Sequence, residues 1–155
     1  MWISRYVMIF LIYSCMGWIF ETIYCTIVTH RWANRGFLYG PVCPIYGCGA
    51  VAITILVQRM EQPDMGGIAW WQIYLLSVVG SAVLEFVTSL VLEKLFHASW
   101  WDYSHLPFNI QGRVCLRNSL LFGVAGLVIV YLILPVVNMW VSPVPDIVVE
   151  GISLA

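Results

Sequence analysis

The sequence predicts an all-α, polytopic membrane bundle, and three observations carry that reading. Of the 155 residues, 61% are hydrophobic and 10% charged, and the mean hydropathy of +0.88 lies far outside the soluble range. The apolar residues gather into four runs, at about 2–28, 42–57, 70–95 and 117–141, close to the length that crosses a bilayer. None of the runs alternates polar and apolar residues as a barrel strand does. A lipid-exposed backbone must then satisfy its hydrogen bonds within helices. About four transmembrane helices are expected in a single domain of residues 1–141. A short tail, 142–155, follows and is spaced from the last run by Pro143 and Pro145.

The first run opens with Arg5 and continues to about Val28 without a small-residue cleavage site, so it reads as a retained span and not as a signal peptide. The second is the shortest, about 16 residues. It follows GPVCPIYGCGA, whose Pro41, Pro44 and glycines favour a broken helix or a re-entrant turn. The third carries two glutamates and the fourth is almost wholly apolar. Arg31, Arg35, Lys94, Arg113 and Arg117 lie in the first and third connections, whereas Arg5 and Arg59 alone lie on the other side. The excess of positive charge makes those connections cytoplasmic and places both termini outside, in a multi-pass protein of the inner membrane. Arg59 is accompanied by Glu61 and Asp64, which support the same orientation weakly.

Sliding the chain against itself by 72 residues lays GPVC at 40–43 on GRVC at 112–115, and Glu21 on Glu93. The pattern suggests a two-fold parallel repeat. In transporters built this way, binding sites lie at the repeat interface.

Seven basic against eight acidic residues leave no basic surface for nucleic acid. The five cysteines are an odd set, and two of them, Cys15 and Cys25, lie inside the first run, so reduced packing residues are expected in place of a disulfide framework. The five-residue spacing of Cys43 and Cys48 is not that of a zinc knuckle. His30, His97 and His105 fall in no paired ligand spacing, so neither a metal nor another cofactor is expected. No triad order, nucleophile elbow or phosphate-binding loop is present. If ATP drives this protein, a separate subunit binds it.

Charge within a span is costly and is kept for a pathway or a partner, which singles out Glu21, Glu85 and Glu93. Ser77, Ser81, Glu85, Thr88, Ser89 and Glu93 fall on one face of a helix, with Glu85 deepest. Ser14, Gly17, Glu21 and Cys25 form a thinner stripe in the first run. Two such stripes facing each other would build a polar interior one carboxylate wide. For Ser81 and Gly17 close helix packing is the leading reading, and for Glu85 the functional one. Glu93 adjoins Lys94 and reads either as part of the stripe or as half of a boundary ion pair.

Between the last two runs lies SWWDYSHLPFNIQGRVCL, 99–116. Trp100 and Trp101 suit an interfacial aromatic belt. Asp102, Tyr103, Asn109, Gln111 and Arg113 exceed what a linker needs. They suggest a polar cap over the stripe, with Arg113 pairing a carboxylate or an anionic group through its planar fork. Arg113, Arg117 and Arg35 are the candidate cations for Glu85.

GWIFETIY (17–24), RGFLYGPVCPIYG (35–47), GSAVLEFVTSLVLEKLF (80–96) and WWDYSHLPFNIQGRVCL (100–116) resemble the signatures of the CmpB-like bacterial membrane proteins, labelled putative ABC-transporter type IV. The resemblance spans most of residues 17–123. It implies a permease and nominates Glu21, Glu85, Glu93, Trp101, Asp102, Tyr103, Asn109 and Arg113 as substrate-binding or pathway residues. The expectation is a small transport protein or permease subunit, homo-oligomeric in the lipid bilayer, with an ATPase or another membrane subunit as a further partner and no catalytic residues. Two alternatives are an intramembrane enzyme that acts on a lipid or isoprenoid through its carboxylates, and an accessory subunit that scaffolds a larger complex.

Overall fold

The computed structural model describes residues 2–37, 40–60, 67–97 and 99–141. The tail 142–155 and the acidic pair Glu61 and Asp64 lie outside the described residues. Four helical rods form where the four apolar runs predicted them: α1 (Trp2–Thr29), α2 (Pro44–Met60), α3 (Trp70–Phe96), and α4 (Leu116–Val128), which continues through a π-helical turn (Ile129–Ile133) into α5 (Leu134–Val141). Ile3–Thr29, Trp70–Phe96 and Leu116–Trp140 are long and apolar enough to cross a membrane, and Pro44–Met60 is a shorter apolar helix. At 1.5 Å per residue α1 and α3 are each about 40 Å long, more than the ~30 Å hydrocarbon core. The π-turn has a local cause. Pro135 has no N–H to give to the carbonyl one turn earlier, so the hydrogen-bond ladder re-registers just before it.

Helix ends follow capping chemistry. The Gln72 side chain accepts from the Ala69 N–H at 2.8 Å and closes the start of α3. α1 is followed by His30 and α3 by His97, each left-handed, with φ of 53° and 52°. A short antiparallel pair, β1 (Asn109–Ile110) and β2 (Val114–Cys115), sits in the third connection. Its turn places Gln111 and Gly112 at φ of 52° and 69°, the two consecutive positive values of a type I′ turn.

The chain divides into two compact units, one of Met1–Ala52 with Pro135–Ala155 and one of Ile53–Leu134, so α2 gives its first half to one and its second half to the other. In the second unit, Ile53, Val57, Ile73 and Val130 form a buried cluster. On α3, Leu75, Val79, Val83, Val87, Val91 and Leu95 recur every four residues and are all exposed, the face a bilayer covers. Glu85, Ser89 and Leu92 lie on its buried side. Gly126 of α4 meets Ser77 so closely that no Cβ would fit, and Gly123 does the same against Tyr74 and Val78.

The first unit shows why α2 is short. The Cys43 N–H donates to the Ser14 carbonyl at 2.9 Å. Ser14 lies about four turns, or ~22 Å, before the end of α1. Residues 30–37 and 40–43 lie back along the face of α1 before α2 begins. The Ala33 N–H meets the Thr26 hydroxyl at 3.2 Å, the Arg35 N–H meets the Thr22 hydroxyl at 3.4 Å, and Trp18 Nε1 donates to Asn34 at 2.7 Å. This is the re-entrant course that the prolines of GPVCPIYG suggested.

The plans of the two halves agree. In each, a long helix ends on a left-handed histidine, a polar connection folds back, and a buried cysteine, Cys43 or Cys115, immediately precedes the next helix. All five cysteines are free thiols.

Gly17 packs against the Tyr46 ring, with no room for a Cβ, whereas nothing stands within 4 Å of a Cβ on Gly80. Gly17→Val should therefore destabilise the protein by about 1–3 kcal/mol and lower its melting temperature in detergent. Gly80→Ala should leave the melting temperature unchanged or raise it slightly.

Candidate functional site: carboxylates closed by returning connections

The polar centre of the second unit is built on α3. Glu85 is 5% exposed and lies about three turns, ~16 Å, before Phe96. The Tyr103 hydroxyl donates to Glu85 Oε1 at 3.3 Å, and the Asn118 side chain bonds to that same hydroxyl. Tyr103 reaches this depth because the connection after α3 turns back along it. One to two turns nearer the helix end, Arg113 Nη1 donates to Ser89 Oγ at 2.9 Å and Nη2 pairs with Glu93. The guanidinium spans two positions four residues apart on one helix face, a task suited to its planar fork.

The connection holds this shape by internal bonds. Asp102 accepts from the Ser104 N–H and hydroxyl, at 2.8 and 3.0 Å. Asn109 donates to the Leu106 carbonyl at 2.7 Å and accepts from the Gly112 N–H at 3.0 Å. Trp101 Nε1 donates to the Arg113 carbonyl at 2.8 Å, and the Tyr103 N–H to the Gly112 carbonyl at 2.7 Å. Gly112 is required twice, since its φ is positive and a Cβ would stand 2.7 Å from Asp102 Oδ1.

Charges in the connection are set by these contacts. The two bonds from Ser104 hold the Asp102 carboxyl below its ordinary range. Burial, and then the charge of Glu85, push the Tyr103 phenol well above its ordinary value, so it stays a donor to higher pH than a free phenol does.

The first unit has a parallel arrangement. Glu21 Oε1 accepts from the Tyr46 hydroxyl at 2.5 Å, and its Oε2 accepts from the Cys25 thiol at 3.7 Å. Ser14 is fully buried against Gly47. The Ser14-Gly17-Glu21 stripe is thus occupied by the first turn of α2.

Of the eight nominated residues, Glu85, Glu93, Tyr103 and Arg113 form one cluster, whereas Trp101, Asp102 and Asn109 fold the connection around it. Glu21 makes its contacts in the other unit. Trp101 holds the Arg113 carbonyl through its indole N–H. Glu93 pairs with Arg113 and, among the described residues, not with its chain neighbour Lys94. Each polar stripe is met within its own unit by a returning connection or the next helix. Sequence reading missed Tyr46 and Asn118. Asn118 was detectable as an amide inside an apolar run; Tyr46 had no such signal, since an aromatic near a helix start has many uses.

The CmpB family model, described as "Putative ABC-transporter type IV", matches residues 8–155. The chain belongs to this family. No curated protein and no solved structure matched it. The family match takes in both carboxylate clusters and both returning connections, so the whole framework of this membrane protein lies within the family's span.

Cys115 is fully buried beneath the connection and reports on its closure. With the other four cysteines replaced by serine, Cys115 should resist a membrane-permeant maleimide. Arg113→Gln should raise its labelling rate at least tenfold, and Tyr103→Phe by a smaller factor.

Proposed function

We propose that this CmpB-family protein is a small permease or permease subunit that works as a homo-oligomer. In this reading Glu21 and Glu85 line its polar pathway, and the 99–116 connection caps the pathway from the cytoplasmic side. The observation that carries the reading is the Glu85 carboxylate, deep on a long apolar helix and bonded by a tyrosine from a connection. A neutral amide could serve a purely structural contact between helices. An ionisable group gains its cost back only where charge must be taken up, released or matched by a passing ligand. A partner supplied by a connection can be withdrawn without unpacking helices, which is the mechanical requirement of a gate.

The remaining roles follow from that assignment. Tyr103 and Asn118 hold Glu85 in the closed form, and the Arg113 bridge to Glu93 and Ser89 latches the cap. The family's name points to ATP as the energy source, and no phosphate-binding loop occurs in the sequence, so a separate ATPase subunit supplies it. Four rods, of which α2 is short, leave little protein to enclose a pathway, so a second copy completes it.

Glu85→Gln preserves shape and removes the titrating charge. In ATP-energised membrane vesicles from the native host, which retain the partner ATPase beside the wild-type or variant protein, the solute accumulated from a metabolite extract, read by mass spectrometry of vesicle contents, should fall at least tenfold. Insertion and melting temperature should change little, since single interhelical hydrogen bonds in membranes contribute about 1 kcal/mol. Undiminished accumulation by well-folded Glu85→Gln protein overturns the pathway assignment.

Orientation is tested separately. A cysteine added after residue 155 should react with an impermeant maleimide from the periplasmic side, with both termini outside and residues 29–41 and 96–116 cytoplasmic. Labelling from the cytoplasmic face alone overturns that topology.

A further inference from the structure

We propose that the end of α3 carries a binding site for the phosphate of an anionic phospholipid headgroup, formed by Lys94, His97 and Arg113. These residues, with Leu90 and Glu93, line an open groove of about 440 Å³. The inference stands apart from the transport reading, because it concerns what covers this surface and not what passes through the protein.

The charges in the groove do not balance from within. Glu93 is matched by Arg113, whose side chain is 19% exposed and held in place by Glu93 and Ser89. Lys94 is left over. It is exposed, and among the described residues its ammonium has no hydrogen-bond or ionic partner. His97, also exposed, adds a ring donor, and its left-handed backbone sets it just past the last turn of the helix. The α3 carbonyls offer the cations some compensation, but an ammonium at the edge of a bilayer finds its strongest counterion in a phosphate.

Position selects a lipid over a soluble anion. Lys94 and His97 terminate a helix whose exposed apolar face runs along Val83, Val87, Val91 and Leu95. A lipid with its phosphate in the groove lays an acyl chain over that face, with Leu90 forming the groove's apolar wall. The shape is that of a headgroup clamp: a pre-placed guanidinium on one side, a mobile ammonium and an imidazole on the other. A zwitterionic lipid brings its own cation to the same place and gains less.

The test uses the full chain, purified and exchanged into micelles doped with either phosphatidylglycerol or phosphatidylcholine. The readouts are lipids retained per protein by native mass spectrometry and the melting temperature. The wild type should retain phosphatidylglycerol in preference to phosphatidylcholine and melt higher with it. Lys94→Gln should cut the preference about fivefold, the loss expected for one cation near a lipid phosphate. Lys94→Gln with His97→Asn should cut it further, since asparagine tolerates the left-handed backbone. Arg59→Gln removes one positive charge elsewhere and should leave the preference unchanged. Three outcomes overturn the site: an unaltered preference in the double variant, an equal loss in Arg59→Gln, or full stabilisation by inorganic phosphate in phosphatidylcholine micelles, which would make the ligand a soluble anion.

Discussion

The fold is governed by the cost of holding carboxylates on helices that cross a bilayer. Glu21 and Glu85 sit well inside α1 and α3, where lipid offers them no hydrogen bonds. The chain answers by sending each connection back along the helix that precedes it. Tyr46 reaches Glu21, and Tyr103 reaches Glu85. Much else follows from that manoeuvre. α2 begins at the level of Ser14 and is short, Gly17 and Gly47 lack side chains so that α2 can approach, and residues 99–115 carry enough polar groups to bond themselves into a fixed shape.

The returning connections also give the α3 cluster its layered character. Nearest the helix end, Arg113 ties the connection to Glu93, which is 52% exposed, so that pair is screened and individually weak. Deeper, Tyr103 meets a nearly inaccessible Glu85, where the same bond matters more because water is excluded. In the proposed gating role, a latch that is weak at the rim and specific at the bottom would let the segment open without unfolding. The internal bonds of Asp102, Asn109 and Trp101 would let that segment move as a unit.

Much of this was legible in the sequence, and the boundary of legibility has physical causes. Hydropathy located the rods because burial in lipid demands continuous apolar length. The spacing of Ser77, Glu85, Ser89 and Glu93 showed which side of α3 would be polar, since helical periodicity fixes the face. The density of polar groups in 99–116 announced a folded connection. What periodicity could not supply was partners across long loops. That Tyr46 bonds Glu21 and Arg113 bonds Glu93 depends on how far each connection folds back, and a loop's course is not written in a repeating pattern. The same gap applies to Trp101, whose bond to the Arg113 carbonyl no pattern beside a helix end announces.

The most direct measurement is hydrogen exchange of the two connections in the reconstituted protein, read by mass spectrometry on peptides covering 30–43 and 99–115. If these segments return along their helices and seal the carboxylates, their amides, those of Tyr103, Leu106 and Arg113 among them, exchange over hours, as transmembrane helices do. Exchange within seconds, at the rate of an open linker, would contradict the account, because Glu21 and Glu85 would then lack the partners on which the structure depends.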